Sequence, residues 1–236
     1  MLSFIVPAYN EELELPSTLS AIQDALSESR IAESELIVVD DGSTDGTARI
    51  AREAGAKLVS INRRHIAASR NAGGQAARGR VLFFVDADTR INAKHIVDAL
   101  AALQAGYSGG SARLNTDGDI PLWARIFTKI FCTIYFANKL GAGAFLFTTR
   151  DNFQAVGGFD EQYFAGEEIY FTRALKKLGR FQILPEPMIT SGRKLRMYSG
   201  REILTRSFAI IIRGPRAARS RDRLDLWYNG KRETRA

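Results

Sequence analysis

Val81-Leu82-Phe83-Phe84-Val85-Asp86-Ala87-Asp88 is a run of five apolar residues that ends abruptly in two acids. A short apolar run of this kind, rich in β-branched and aromatic side chains, reads as a strand buried on both faces. Three earlier runs have the same character: Leu2 to Val6, stopped by Pro7; Leu36-Ile37-Val38-Val39, stopped by Asp40-Asp41-Gly42-Ser43; and Lys57 to Ile61. The intervals carry helical spacing. Leu15, Leu19, Ile22 and Leu26 recur three or four apart, with Asn10 upstream as a helix cap. Thr44 to Ala54 reads as a helix closed by Gly55, and His65 to Ala77 as a third helix. The βαβαβαβ order predicts an α/β fold whose mainly parallel sheet is covered by helices on both faces.

Sheets of this type bind ligands at the carboxyl ends of their strands, here Pro7-Ala8-Tyr9-Asn10-Glu11, Asp40-Asp41-Gly42-Ser43 and Asp86-Ala87-Asp88. The first loop has no glycine, which argues against a dinucleotide-binding turn, and no G-x-x-x-x-G-K-[ST] stretch supports a P-loop. Asp86 and Asp88 stand two apart in extended chain, so their carboxylates project to the same side. Such a pair repels itself unless a cation intervenes, and its oxygens suit Mg²⁺ or Mn²⁺, which also grip phosphate. Asp and Ser ahead of Thr44 equally suit a helix-capping turn, and Asp41 and Ser43 are expected to be mainly structural.

From about residue 106 the order is less regular. Tyr107 to Leu114 reads as a strand, Ile120 to Leu140 as an amphipathic helix, and Gly143 to Thr149 as a strand. Gly157-Gly158-Phe159-Asp160-Glu161 reads as a turn, Glu167 to Leu178 as a helix ended by Gly179, and Phe181 to Leu184 as a short strand before Pro185 and Pro187. Core packing is the expected role of Trp123, Phe127, Ile130, Phe131, Ile134 and Phe136. His65 and His95, the only histidines, fall in helices and are expected to be packing or surface residues.

Over 236 residues, 45% hydrophobic and 25% charged, the composition is that of a globular protein and excludes collagen-like, coiled-coil and wholly disordered chains. Cys132 is the single cysteine, so neither a disulfide framework nor a structural zinc site can form within the chain, and a reducing compartment is expected. Apolar runs of five residues fall far short of a membrane span, and the first residues lack the pattern of a signal peptide, which predicts a cytoplasmic protein. The net charge of +7 is uneven. Residues 191–236 hold 13 Lys/Arg against four Asp/Glu, a net +9, while the preceding 190 hold 20 against 22. A basic segment on a near-neutral body predicts attraction to an anionic surface.

Phe4 to Glu11, Ile37 to Thr47, Arg70-Asn71, Val81 to Asp88, and Gly157 to Glu161 followed by Gly166-Glu167-Glu168 together resemble glycosyltransferase family 2, in the family's order and spacing. The resemblance implies the GT-A fold, with a Rossmann-like nucleotide-binding half over 1–105 and an irregular acceptor-side half over 106–190. It also implies a nucleoside-diphosphate sugar donor, a divalent cation (Mg²⁺ or Mn²⁺) and inversion at the anomeric carbon. By the same resemblance Pro7, Ala8, Tyr9 and Glu11 lie against the nucleoside, Asp40 reaches the base and Arg70 lies near the nucleotide. Asp86 lies near ribose or metal, and Asp88 coordinates the metal.

The general base of the family matches Glu167-Glu168, with Glu168 at the usual base position, where Asp is common. Neighbouring helical residues point about 100° apart, so only one of the two faces the donor, and the other complements the helix dipole. A further His ligand and a Gln/Arg-x-x-Arg-Trp motif, found in some relatives, are absent. Single-sugar transfer is therefore expected, and Arg193 or Lys194 is a candidate contact for the diphosphate. Ile203, Leu204, Phe208 and Ile210 to Ile212 lie among Arg201, Arg206 and Arg213, the composition of an interfacial helix. A lipid-linked acceptor and peripheral attachment of 191–236 to the inner face of the membrane follow as expectations, and no nucleic acid partner is expected. Two other readings share these residues. A nucleotidyltransferase would release pyrophosphate, and a catalytically silent nucleotide-sugar or membrane-binding module would bind without turnover.

Overall fold

The computed structural model describes residues 1–197, 199–202 and 218–219. Strands β1 (Leu2–Ala8), β2 (Ser34–Asp41), β3 (Lys57–Ile61) and β4 (Val81–Val85) alternate with helices α1 (Leu15–Glu28), α2 (Thr47–Glu53) and α3 (Ile66–Ala76). After β5 (Thr89–Arg90) come α4 (Ala93–Gln104), β6 (Gly109–Thr116), α5 (Leu122–Ala137), β7 (Phe145–Thr149) and α6 (Arg150–Ala155). Helix α7 (Glu167–Leu178), β8 (Phe181–Thr190) and the short α8 (Arg193–Met197) complete the described elements. One sheet runs in the order β3-β2-β1-β4-β7-β6-β8-β5. β3, β2, β1 and β4 are mutually parallel, β7 is antiparallel to both β4 and β6, and β8 is parallel to β6.

Strand alternation splits the core into two layers. Phe4, Val6, Phe83 and Val85 face α1 and α4, whereas Ile5, Leu82 and Phe84 face α3, α6 and α7. Gly73 brings α3 close to the sheet, because a Cβ there would collide with Ile5 and sit 3.0 Å from Val39 Cγ2. On the same layer Phe159 stacks on Phe171 with centroids 4.1 Å apart and meets Phe84 edge-on at 5.1 Å. These contacts lock α7 against β4, the strand that carries the Asp pair.

Several expectations change in detail. Pro7 does not stop β1, which reaches Ala8. The β4 ladder ends at Ile5, so the missing N–H of Pro7 leaves no bond to β4 unmade. Asn10 is not the cap of α1, which starts at Leu15 with Glu14 in the cap position. Instead Asn10 takes a left-handed φ of 51° and its Oδ1 accepts from Thr44 N at 2.8 Å, tying the loop after β1 to the loop after β2. Helix α2 starts only at Thr47, whose N–H is taken up by Asp45 Oδ1 at 3.0 Å. The expected short strand after Phe181 is ten residues long, because the register against β6 shifts between Ala112 and Arg113 and so passes over Pro185 and Glu186.

The packing expected of α5 is not what forms. Only Ala124 of that helix is buried; Trp123, Phe127 and Phe136 are half-buried, and Ile130, Phe131 and Ile134 are exposed. His65 and His95 are both buried, His95 in a reciprocal cap with Asn92 at the start of α4. Among the described residues no helix is long and apolar enough to cross a membrane. The apolar and basic residues singled out from 203 to 213 lie outside the described residues.

Candidate active site

Between β1 and β4 the strand order reverses, since β2 and β3 lie on one side of β1 and later strands on the other. A parallel sheet opens a crevice at the carboxyl ends beside such a switch point. A cavity of about 360 Å³ occupies it. Pro7, Ala8, Tyr9 and Glu11 line it from the end of β1, and Asp86, Ala87 and Asp88 from the end of β4. Arg70 of α3 and Glu167 and Glu168 of α7 complete the convergence of residues singled out in the sequence.

Asp40 is not part of the cavity wall. Its Oδ1 accepts from Ser43 N at 3.1 Å, and adjacent strand residues point to opposite faces, so Asp41 reaches the wall instead. Asp41 is fully committed to structure. Its Oδ1 accepts from the backbone of Arg63 (2.6 Å) and Arg64 (2.8 Å), and its Oδ2 from His65 N (2.7 Å) and Ser69 Oγ (3.1 Å). It thereby fixes the entry to α3.

Arg70 and Asn71, neighbours on α3, fasten that helix to the part of the chain that follows residue 106. Asn71 grips the Gly157–Glu161 turn with three bonds, donating to Phe159 O and Glu161 Oε1 (both 2.9 Å) and accepting from Phe159 N at 2.8 Å. Gly158 makes this possible, since its φ is 74° and a Cβ there would lie 2.5 Å from Asn71 Oδ1. Arg70, fully buried, donates through Nη1 to Glu167 and through Nη2 to Asp86 Oδ1 at 2.8 Å and Gly143 O at 2.9 Å. Burial opposes its charge, but Asp86 and Glu167 more than offset that and hold the guanidinium firmly charged. Asp86 is raised above the ordinary carboxyl range, first by burial and then by the charge of Asp88, with Arg70 opposing.

Gly166, at φ 73°, turns the chain into α7 and sets Glu167 and Glu168 in its first turn. Glu167 is buried and taken by Arg70. Glu168 is half-buried in the cavity wall, and desolvation, followed by the charge of Glu167, pushes its carboxyl up to about 8. A carboxyl tuned towards neutrality is suited to accepting a proton from a hydroxyl. Tyr135 of α5 hydrogen-bonds in its neighbourhood. Burial, then the charges of Glu168 and Glu167, keeps that phenol protonated, and its hydroxyl donates to Gly141 O at 3.0 Å.

Arg193, at the start of α8, reaches back 182 positions to Glu11, donating at 2.6 Å and 2.7 Å to its two oxygens, and its Nη2 lies 3.1 Å from Asp88 Oδ2. Burial again opposes the charge, and the hydrogen bonds to Glu11 with the charge of Asp88 outweigh it. Among the described residues no group of three or more His, Cys, Asp or Glu could cage a metal. Asp86 and Asp88 nevertheless fit Mg²⁺ or Mn²⁺ as such ions bind beside phosphates, through one or two carboxylates with substrate oxygens and water completing the shell.

Three further residues of the wall or its neighbourhood, Arg64, His65 and Tyr135, carry no site signal in the sequence. Arg64 stacks on the Tyr9 ring, 3.2 Å from its centroid. His65 Nε2 pairs with Glu161 O at 3.0 Å while its buried Nδ1 has no hydrogen-bond partner among the described residues, and both Arg64 and His65 line the cavity. The pairs Arg64–Tyr9 and His65–Glu161 are made across 55 and 96 residues and leave no local spacing signal, so nothing in the linear chain could have marked them.

The profile of Glycosyl transferase family 2 matches residues 3–159. Over 117 residues, 45% of this chain, the sequence is 35% identical to an undecaprenyl-phosphate 4-deoxy-4-formamido-L-arabinose transferase of Aeromonas hydrophila, covering 35% of that protein. Over 96 residues, 36% of this chain, it is 40% identical to a dolichyl-phosphate beta-glucosyltransferase of Trichomonas vaginalis, covering 29% of that protein. The chain thus spans about a third of the length of these curated relatives. A mannosyltransferase from Pyrobaculum calidifontis, solved with GDP-Man and Mn²⁺, superposes with TM-score 0.67 at 21% identity, over 90% of this chain and 64% of that one. A fragment of S. aureus TarS in complex with UDP-GlcNAc gives TM-score 0.64 at 21% identity, over 89% of this chain and 66% of that one. These likenesses show the GT-A fold.

Proposed function

The chain belongs to glycosyl transferase family 2, and on that premise we propose that it transfers a single sugar from a nucleoside-diphosphate sugar to an acceptor hydroxyl, with inversion and with a divalent cation on the donor. One observation carries this reading: a single cavity at the sheet's switch point is walled by the Asp86/Asp88 pair from β4 and by Glu168, with its raised carboxyl, from α7.

Glu168 takes the proton of the acceptor hydroxyl. The freed oxygen attacks the anomeric carbon, and the bond from that carbon to the diphosphate breaks with its electron pair leaving on phosphate. Attack from the face away from the leaving group inverts the centre. Asp86 and Asp88 would hold the cation, whose chemistry when bound is neutralisation of the charge that builds on the departing diphosphate. Tyr9 and Arg64 offer a flat cationic stack beside Pro7 and Ala8 for the nucleoside. Arg70 sets the geometry by holding Glu167 and Asp86 in one clamp, which leaves Glu168 as the carboxylate for the acceptor.

The acceptor is a lipid-linked one met at the inner face of the membrane, where the protein is peripheral. Supporting this, α5 carries Tyr135 beside Glu168, exposes Leu122, Ile126, Ile130, Phe131 and Ile134, and contains no acidic residue. The relatives named above have polyprenyl or dolichyl phosphates in their names.

A thermal-shift screen of UDP, GDP, CDP and dTDP sugars with Mn²⁺, Mg²⁺ or EDTA tests the donor assignment. One nucleotide with a divalent ion should raise Tm by several degrees. A ligand at 100 times its Kd adds about 2.7 kcal/mol, and each kcal/mol is worth roughly 2–4 °C in a chain of this size. Folded protein that shifts with none of them overturns the proposal.

A further inference from the structure

Asp86 and Asp88 each face an arginine, but the two arginines are held differently. Arg70 is fully buried and bound on three sides, so it is a fixed part of the frame. The Arg193 side chain is 10% exposed at the cavity wall and joins two carboxylates, binding Glu11 through both nitrogens and touching Asp88 through one. Its backbone is anchored. Ser191 N donates to Asp88 O at 3.1 Å, and Gly192 N to Asp117 Oδ1 at 2.9 Å. The side chain can therefore swing Nη2 away from Asp88 while α8 stays in place and Nη1 keeps its bond to Glu11. Among the described residues Asp88 Oδ1 has only a long contact, 3.5 Å from Thr190 Oγ1, and the guanidinium on Oδ2 is the strong charge contact at that carboxylate.

We infer that Arg193 is an exchangeable counter-ion of the donor site: without ligand it neutralises Asp88 in place of a divalent cation, and when donor and cation arrive together it turns from Asp88 to the diphosphate. The inference rests on Asp88 being a metal ligand. Two cations crowded on one carboxylate repel each other, so the arginine disfavours metal alone. A diphosphate restores the balance, because its oxygens accept the freed Nη2 as well as a metal. Metal and nucleotide are then positively coupled, each raising the affinity for the other by the same factor. An enzyme built this way keeps its acidic pair charge-compensated between turnovers and binds the ion chiefly with donor.

Calorimetric titration of the full-length protein separates this from a merely structural strap. Mn²⁺ alone should bind Arg193→Gln about tenfold tighter than wild type, whereas UDP or GDP in saturating Mn²⁺ should bind it about tenfold weaker. A strap that only shapes the loop would weaken both, and unchanged or weaker Mn²⁺ binding overturns the exchange. Arg193→Lys keeps the charge but its single ammonium cannot fork Glu11 and still reach Asp88; it should tighten Mn²⁺ less than Gln does, and it decides alone by the same criterion if the Gln variant does not fold. Adding Asp88→Asn to either variant should abolish the gain, and a gain that persists places the ion elsewhere and overturns the inference. If wild type binds Mn²⁺ with UDP or GDP through Asp88 while the Arg193 variants match it, the metal assignment stands and the exchange falls. No Mn²⁺ binding by any of these proteins, even with UDP or GDP, overturns both.

Discussion

Arg70 and Glu167, 97 residues apart in the chain, form a buried ion pair that joins α3 to the first turn of α7. The same guanidinium holds Asp86 at the end of β4. The end of β4 and the start of α7 are thus fixed to one another through a single side chain. The pair also distinguishes two adjacent acids: Glu167 is committed to Arg70, and Glu168 faces the cavity with its proton affinity raised.

Arg70→Met should be among the most destabilising single changes in the protein. Methionine fills much of the volume but leaves Glu167 buried without its counter-charge, and breaking one side of a buried pair costs about 3–5 kcal/mol. At roughly 2–4 °C per kcal/mol the melting point should fall by about 6–20 °C. A melt within 2 °C of wild type would show that the clamp contributes little. Glu167→Gln should cost less, since the amide still accepts from Arg70.

Glu168→Gln should lower kcat by about 10²–10⁴, the range for loss of a general base, with nucleotide affinity nearly intact. For wild type, kcat/KM should rise with pH through a midpoint near 8, because only the deprotonated carboxylate accepts a proton. The stability effect has the opposite sense. A carboxyl whose folded pKa is raised contributes stability that is full below its unfolded value of 4.5 and is lost as pH climbs through about 8. Glu168→Gln should therefore melt higher than wild type at pH 9, relative to the difference between them at pH 5. Full turnover in this variant together with loss in Glu167→Gln would transfer the base role to Glu167.

The parts of the fold legible in the sequence are those whose partners are local. Lys57–Ile61 and Val81–Val85 have the predicted bounds because an apolar run and its polar stop lie in adjacent residues. Glu167–Leu178 does too, since Gly166 and Gly179 bracket it. Asp86 and Asp88 were visible as a pair for the same reason, although they lie in a turn closed by Thr89 N on Asp86 O and not in the extended chain expected. The clamp of Arg70 on Glu167, the grip of Asn71 on Phe159 and the reach of Arg193 to Glu11 span 97, 88 and 182 positions, and only the folded sheet reveals them. Helix α5 misled because amphipathic spacing reports that a helix has an apolar face, not whether protein covers it.

Asp88→Asn should remove the metal-dependent part of nucleotide binding and leave the metal-independent part. The neutral amide is a poor ligand for Mg²⁺ or Mn²⁺, whereas Tyr9, Arg64 and the end of β1 are untouched. In thermal shift the mutant should respond to the cognate nucleotide equally with Mn²⁺ and with EDTA. A Mn²⁺-dependent shift as large as that of wild type would remove Asp88 from the metal site.

Helix α5 should seat the protein on anionic membranes, with the basic C-terminal segment adding long-range attraction. Leu122, Ile126, Ile130 and Ile134, spaced four apart, are 72%, 53%, 56% and 61% exposed, and Arg125 and Lys129 are the charged residues of the helix. An apolar stripe with basic and no acidic neighbours suits shallow insertion among anionic headgroups. The two contributions respond differently to salt. Each basic residue near an anionic leaflet adds about 1 kcal/mol that is screened beyond a Debye length, whereas apolar insertion is not screened. Co-sedimentation with phosphatidylglycerol-rich and with neutral vesicles should show binding to the former that falls, without vanishing, in high salt. Ile126→Glu combined with Ile130→Glu should abolish the salt-resistant part and leave the melting point close to wild type, because both side chains already face solvent. Equal binding of the variant and wild type in high salt would assign the apolar contact elsewhere, and no binding of wild type to anionic vesicles would remove the membrane from the acceptor's description.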